Sequence, residues 1–228
     1  MKRIAIITAR GGSKRIPHKN IRDFCGKPIL FYSIEAALKS HCFTTVMVST
    51  DDEIIADLAK KAGAEVPFLR SDKTSGDFAT TAEVIEEVLT EYKKQGEEFD
   101  TACCIYPTAP FITAEKLQEA VRLLEEKDLD SVMPVVEFSF PPLRGMVIEE
   151  GKLNYKWEKY SQMRSQDLEK IYHDVGQFYA LKVKRFEESK KLVTKNTGAI
   201  MMSELETQDI DNETDWKIAE LKYRLLHE

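Results

Sequence analysis

From residue 3 to residue 136, short apolar runs alternate with helical patterns in strict order. Residues 3–8 read as a strand. Pro28 stands at a first helical position, and Ile29, Leu30, Ile34, Ala37 and Leu38 follow at helical spacing. "TTVMVST" at 44–50 is the next strand, and a helix through Ile54, Ile55, Leu58 and Ala62 is stopped by Gly63. Thr80 and Glu83 of "TTAE" form a capping box ahead of Val84, Ile85, Val88 and Leu89. "TACCIYP" at 101–107 is a strand closed by proline. Leu117, Val121 and Leu124 mark a helix, and "SVMPVV" at 131–136 a further strand. A helix between successive strands demands crossover connections. The expected fold is therefore a single α/β domain over residues 1–228, a mostly parallel sheet with helices on both faces.

The alternation breaks near residue 137. Residues 137–176 are rich in proline, aromatics and charge, and are expected to form an excursion that serves as a lid or a subunit contact. Strand patterns return at 176–183 and 197–203, and residues 212–226 read as a terminal helix.

The first loop stands out against the composition. The chain carries 33 Lys and Arg against 39 Asp and Glu, a net charge of −6, which argues against broad nucleic-acid or membrane binding. Yet Arg10, Lys14, Arg15 and Lys19 crowd the loop after the first strand, among Gly11, Gly12 and Ser13. In such sheets ligands bind outside the carboxyl ends of the strands. Glycine lets backbone N–H groups approach an anion, and arginine and lysine add charge-assisted hydrogen bonds, so the loop suits a polyphosphate. Neither GxxxxGK[ST] nor GxGxxG is present, so the residues leave two readings open, another kind of phosphate loop or a solvated turn whose charges keep the chain soluble. No apolar run is long enough for a membrane helix or a signal peptide. Cys25, Cys42, Cys103 and Cys104 show no metal or disulfide spacing, which fits a cytoplasmic chain.

"ARGGSKRIPHKN" at 9–20 resembles the signature loop of the sugar-acid cytidylyltransferases, the enzymes that make CMP-activated sialic acids and their relatives. "VSTDDEIIADLAKKAGAEVPFLR" at 48–70, "YPTAPF" at 106–111 and "DIDNETDW" at 209–216 resemble that family's later blocks, in the same order. "RSQDLEKIYHDVGQFYAL" at 164–181 is similar to the pseudaminic acid branch. Tyr106 stands where CMP-sialate synthetases carry glutamine.

The resemblance implies transfer of CMP from CTP to the anomeric hydroxyl of a nonulosonic acid, with pyrophosphate released and Mg²⁺ as cofactor. It assigns Arg10, Ser13 and Lys19 to the triphosphate, with Lys19 as the main cation, and Asn20 to the nucleotide. It assigns Arg70 to the cytidine side, and one of Thr80 and Thr81 to the base. Asp209 and Asp211 become the metal ligands, with Arg10, Lys19 and Asp211 as the catalytic group, and a homodimer is implied. The sugar is expected to meet Tyr106, Arg164, Gln177 and Tyr179, the last two sharing a face of an extended segment. Asp215 reads equally well as a favourable first-turn charge. No general base stands out, His18 included. The competing readings are a sialate, legionaminate or Kdo specificity, a glycosyltransferase using "DID" as its metal motif, and a non-catalytic nucleotide-binding regulator.

Overall fold

A computed structural model describes residues 1–227. The elements in chain order are β1 (Arg3–Thr8), β2 (Asp23–Phe24), β3 (Lys27–Pro28), α1 (Ile29–Ser40), β4 (Thr45–Ser49), α2 (Glu53–Lys61) and α3 (Asp72–Ser75). Then come α4 (Thr81–Lys94), β5 (Thr101–Ile105), α5 (Ala114–Glu126), β6 (Ser131–Glu137), β7 (Met146–Glu149) and β8 (Lys152–Tyr155). The chain closes with β9 (Tyr172–Asp174), β10 (Phe178–Lys182), α6 (Val183–Ser189), β11 (Thr197–Met201) and α7 (Glu213–His227). No helix among the described residues is long and apolar enough to cross a membrane.

The main sheet runs β11-β6-β10-β5-β1-β4, with β9 added against β6. Strands β4, β1, β5, β6 and β11 share one direction, and β9 and β10 oppose it. Alternation along β1 builds a core on each face. Ala5 and Ile7 pack with residues of α1, α2 and α5, while Ile4 and Ile6 pack with Ile85, Val88 and Leu89 of α4 and Phe186 of α6. Helices thus cover both faces, and the expected architecture is observed.

Two local details depart from the expectation. Pro28 is the residue before α1, paired with Asp23, and the helix begins one position later at Ile29. β10 enters between β5 and β6, which are neighbours in the order of the chain, and runs antiparallel to both. Pro134 sits in β6 at the point where that strand exchanges β10, paired at Ser131 and Val132, for β9, paired from Val135 onward. A residue with no N–H is tolerated there because Pro134 lies in the gap between the β10 and β9 pairings on that edge, while β11 continues along the other.

The excursion leaves the sheet after β6. Its β7 and β8 form a separate two-stranded hairpin, and β9 brings the chain back.

Candidate active site

The carboxyl ends of β1 and β5 open onto a cleft of about 340 Å³. Arg10, Ser13, Asn20, Arg70, Thr81 and Tyr106 all line it, although they are spread over nearly a hundred positions of chain.

The first loop is held in place by its neighbours. Gly11 donates its N–H to Oδ1 of Asp51 at 2.8 Å. A Cβ on Gly11 would meet Oδ2 and Cβ of Asp52 at 2.8 and 2.9 Å, so only glycine fits. Asp52 cannot yield freely, because it caps α2 by accepting from Ile54 and Ile55. Asn20, nearly buried, donates to the Arg10 carbonyl at 2.8 Å and closes the loop on itself. His18 takes a left-handed φ of 52° and turns the chain into the short 3-10 helix Lys19–Ile21.

Asp77 is the residue the sequence reading missed. It lines the cleft and pairs with Arg10 at 2.8 Å and also with Lys14. Hydrogen bonds from Lys14 and Arg10 hold its carboxyl below the ordinary carboxylate range. The signal available was indirect: a loop so basic needs a counter-charge, and "SGDF" offers one beside the cleft.

Arg70 is buried, with Nε on the Ser49 hydroxyl at 3.0 Å and Nη2 on the Ser49 carbonyl at 2.7 Å. Burial lowers its pKa, and the charge of Asp51 works against that. These bonds fix the guanidinium at the end of β4 facing the cleft.

The acidic block reaches the basic loop through a third apolar cluster. Ile16, Phe24, Ile210 and Trp216 are buried together, with the Phe24 and Trp216 rings edge to face at 5.6 Å. Burial of Ile16 and Ile210 brings their neighbours together: Arg15 pairs with Asp211 at 2.6 Å. Lys19 donates from Nζ to the Ile210 carbonyl. Burial lowers the Lys19 pKa, opposed by the charges of Asp211 and Asp209, so both carboxylates act on one cation. Carboxylates are the donor type that suits Mg²⁺, which keeps water and phosphate oxygens as its other ligands. Among the described residues no group of three or more His, Cys, Asp or Glu forms a closed metal cage. Asp215 accepts from the N–H groups of Asp211 and Asn212, while Asn212 accepts from Thr214 and Asp215. It is a reciprocal cap for α7 and the brace of Asp211.

Other candidates lie elsewhere. Thr80 is exposed and committed to the capping box with Glu83, leaving Thr81 as the hydroxyl on the cleft. Arg164 is exposed on the excursion and pairs with Asp167 at 2.7 Å. Gln177 and Tyr179 both make internal hydrogen bonds. The Gln177 amide is buried and donates to the Glu206 carbonyl at 2.6 Å, while the Tyr179 hydroxyl donates to Asp174. Each of these bonds ties a loop to the start or body of β10, and the buried Oε1 of Gln177 is left without a hydrogen-bond partner among the described residues.

A cationic cleft at the carboxyl ends of a mostly parallel sheet, beside a pair of carboxylates, defines a nucleotide-binding α/β protein built for phosphates. The chain belongs to the cytidylyltransferase family, whose profile, described as Cytidylyltransferase, matches residues 4–196. It is 38% identical to the pseudaminic acid cytidylyltransferase of Campylobacter jejuni subsp. jejuni serotype O:2, covering 100% of this chain and 99% of that protein. It is 33% identical to the CMP-N,N'-diacetyllegionaminic acid synthase of Legionella pneumophila, over 96% of this chain and 95% of the relative. In fold it is similar to a CMP:2-keto-3-deoxy-manno-octonic acid synthetase solved with CTP, with a TM-score of 0.70 and 17% identity over 100% of this chain and 99% of that one.

Proposed function

We propose that this cytidylyltransferase moves CMP from CTP to the anomeric hydroxyl of a nonulosonic acid, pseudaminic acid foremost, and releases pyrophosphate. The observation that carries the reading is the gathering of Arg10, Ser13, Asn20, Arg70 and Thr81 around one cleft, with Lys19 and the acidic pair beside the same loop. The choice of sugar is supported by the full-length likeness to pseudaminic acid cytidylyltransferases.

In this reading Arg10 and the Ser13 hydroxyl bind the triphosphate. Arg10 exchanges Asp77 for phosphate oxygens, which are stronger bidentate partners. Lys19, partly stripped of water, stands where negative charge grows between the α-phosphate and the departing pyrophosphate. Asp209 and Asp211 would hold Mg²⁺, and Arg15 releases Asp211 for it. When bound, the ion supplies Lewis-acid neutralisation and a template for the phosphates. Arg70 and Thr81 take the cytidine end. Phosphoryl-type transfer runs mainly on such positioning and charge, and the attacking group in this reading is the sugar's own anomeric hydroxyl.

A cytoplasmic homodimer belongs to the same reading. All four cysteines are free thiols, as in reducing compartments. The β7–β8 hairpin exposes Met146, Ile148 and Leu153, and Phe140 nearby is 86% exposed. An isolated two-stranded hairpin with an apolar surface gains stability by covering it.

The test is pyrophosphate release with CTP, Mg²⁺ and each of pseudaminic, legionaminic, N-acetylneuraminic and Kdo acids. Pseudaminic acid is expected to give the highest kcat/KM. Equal rates with ATP and CTP sink the cytidylyltransferase mechanism, and a better N-acetylneuraminate substrate sinks the choice of sugar.

A further inference from the structure

Residues 76–79 form a strap at the edge of the cleft, and Gly76, Asp77 and Ala79 line it. The fourth member, Phe78, is 99% exposed, more than any other large apolar side chain among the described residues. Ala79 donates its N–H to the Gly76 carbonyl at 3.3 Å, so the strap is a tight turn with Asp77 and Phe78 at its two corners. One corner holds Arg10 of the basic loop at 2.8 Å, and the other presents an aromatic ring to water.

Both ends of the strap are pinned. Ahead of it, Ser71 donates its N–H to Glu87 at 2.8 Å, and the hydroxyl of the buried Thr74 donates to the same carboxylate. Behind it, Thr80 is fixed by the capping box with Glu83. Among the described residues, the hydrogen bonds that join the strap to the rest of the chain run through Asp77, which accepts from Arg10 and Lys14. A triphosphate that claims Arg10 therefore removes one of the ties that hold the strap, while its two ends stay in place.

The lining of the cleft says what the ring would meet. Arg10 and Ser13 mark the phosphate end, whereas Thr81, Val84, Tyr106 and Pro107 form a stretch of wall without charge. The strap leads from the first, at Asp77, to the second, where Ala79 runs on toward Thr81. Phe78 comes between the two. A planar base offers a π face on which such a ring stacks. We propose that residues 76–79 close over the cleft when CTP binds, and that Phe78 then stacks on the cytosine. The proposal rests on the reading of this cleft as a CTP site. A ring left in water by the free protein and covered only in the complex adds its apolar area to binding rather than to folding.

The experiment measures the Kd of CTP and of inorganic pyrophosphate, each with Mg²⁺, by calorimetric titration of the wild type, Phe78→Ala and Phe78→Tyr. Phe78→Ala should weaken CTP by about tenfold or more, the loss of one base–aromatic stack. It should leave pyrophosphate unchanged, because pyrophosphate carries no base. Phe78→Tyr, which keeps the ring, should bind CTP as the wild type does. Thermal melting of Phe78→Ala should match the wild type, since the ring supports nothing in the free fold. Equal CTP affinity in Phe78→Ala and the wild type overturns the inference. So does a loss shared by CTP and pyrophosphate, which would place the effect at the phosphate loop. Phe78→Trp gives a direct view of the closure. Its added emission, over that of Trp157 and Trp216, should shift to the blue with CTP and become harder to quench with acrylamide. Emission and quenching that do not respond to CTP also overturn the inference. A wild type with no affinity for CTP, by contrast, overturns the reading of the cleft itself.

Discussion

Lys19 crosses from the first loop to the far end of the chain and donates to the backbone carbonyl of Ile210, 191 positions later. Lys19 makes no ion pair with Asp209 or Asp211, whose charges nonetheless raise its pKa against the lowering by burial. The Lys19–Ile210 bond and the Arg15–Asp211 pair join the basic loop and the acidic block across nearly the whole length of the chain.

Lys19→Ala and Asp211→Ala should each lower kcat by about a hundredfold or more, since each removes stabilisation of growing charge worth a few kcal/mol. Lys14→Ala should be far milder, because Lys14 is 78% exposed in its side chain and pairs only with Asp77. Steady-state pyrophosphate release measures all three, with thermal melting as the control for folding. A fully active Asp211→Ala enzyme in Mg²⁺ would move the metal elsewhere.

Gly11→Ala should weaken CTP binding and also destabilise the fold. The added methyl collides with Asp52, and either the loop shifts or the cap of α2 opens, at a cost of about 1 kcal/mol for the cap alone. Calorimetric titration with CTP and thermal melting should both change. Gly12→Ala, with open space around its would-be Cβ, should change neither by much.

Asp77→Asn should alter how stability depends on acid. The native Asp77 carboxyl has its pKa lowered by Lys14 and Arg10, so its contribution is present above the ordinary aspartate pKa. It is lost as pH falls through the lower, folded-state value. Urea titrations should show the wild type more stable than Asp77→Asn at neutral pH, with the gap closing below about pH 4. A gap that stays constant down to pH 2 would show that the pair contributes nothing through ionisation.

Cys25→Asn should stabilise the protein. Cys25 and Gly26 join β2 to β3 with φ of 49° and 101°, a tight turn in which asparagine before glycine is favoured. A left-handed cysteine costs about 1 kcal/mol, and the Sγ contact with the Glu220 carbonyl, at 4.0 Å, is too long to offset it. The melting temperature should rise by about 2–4 °C. No rise would mean that the thiol contact matters more than the backbone.

A homodimer should appear by light scattering at micromolar concentration. Ile148→Lys with Leu153→Lys, both on the exposed hairpin, should yield a monomer. A monomeric wild type removes the assignment of the excursion to a subunit contact.

The elements were largely legible because each announces itself locally. The Thr80–Glu83 box, the strand ending at Ile105 and the helix from Glu213 to His227 all lie where apolar period and capping residues put them. What escaped was pairing at a distance. Nothing around Asp77 marks it as the partner of Arg10, and nothing in "YHDVGQFY" reveals that Gln177 turns to Glu206 while Tyr179 turns to Asp174. The strand at 178–182 was readable, but its place and direction in the sheet were not, since period-two alternation is the same in either orientation.

That place carries a consequence for how the protein is made. As the chain leaves the ribosome, β5 and β6 emerge long before β10, the strand that must lie between them. The nascent sheet therefore waits with two unpaired edges facing an open slot, which is the arrangement most prone to capture by another chain. Completion of the sheet is a late event that depends on residues 178–182, and a chain released before them is left with its central seam unsewn.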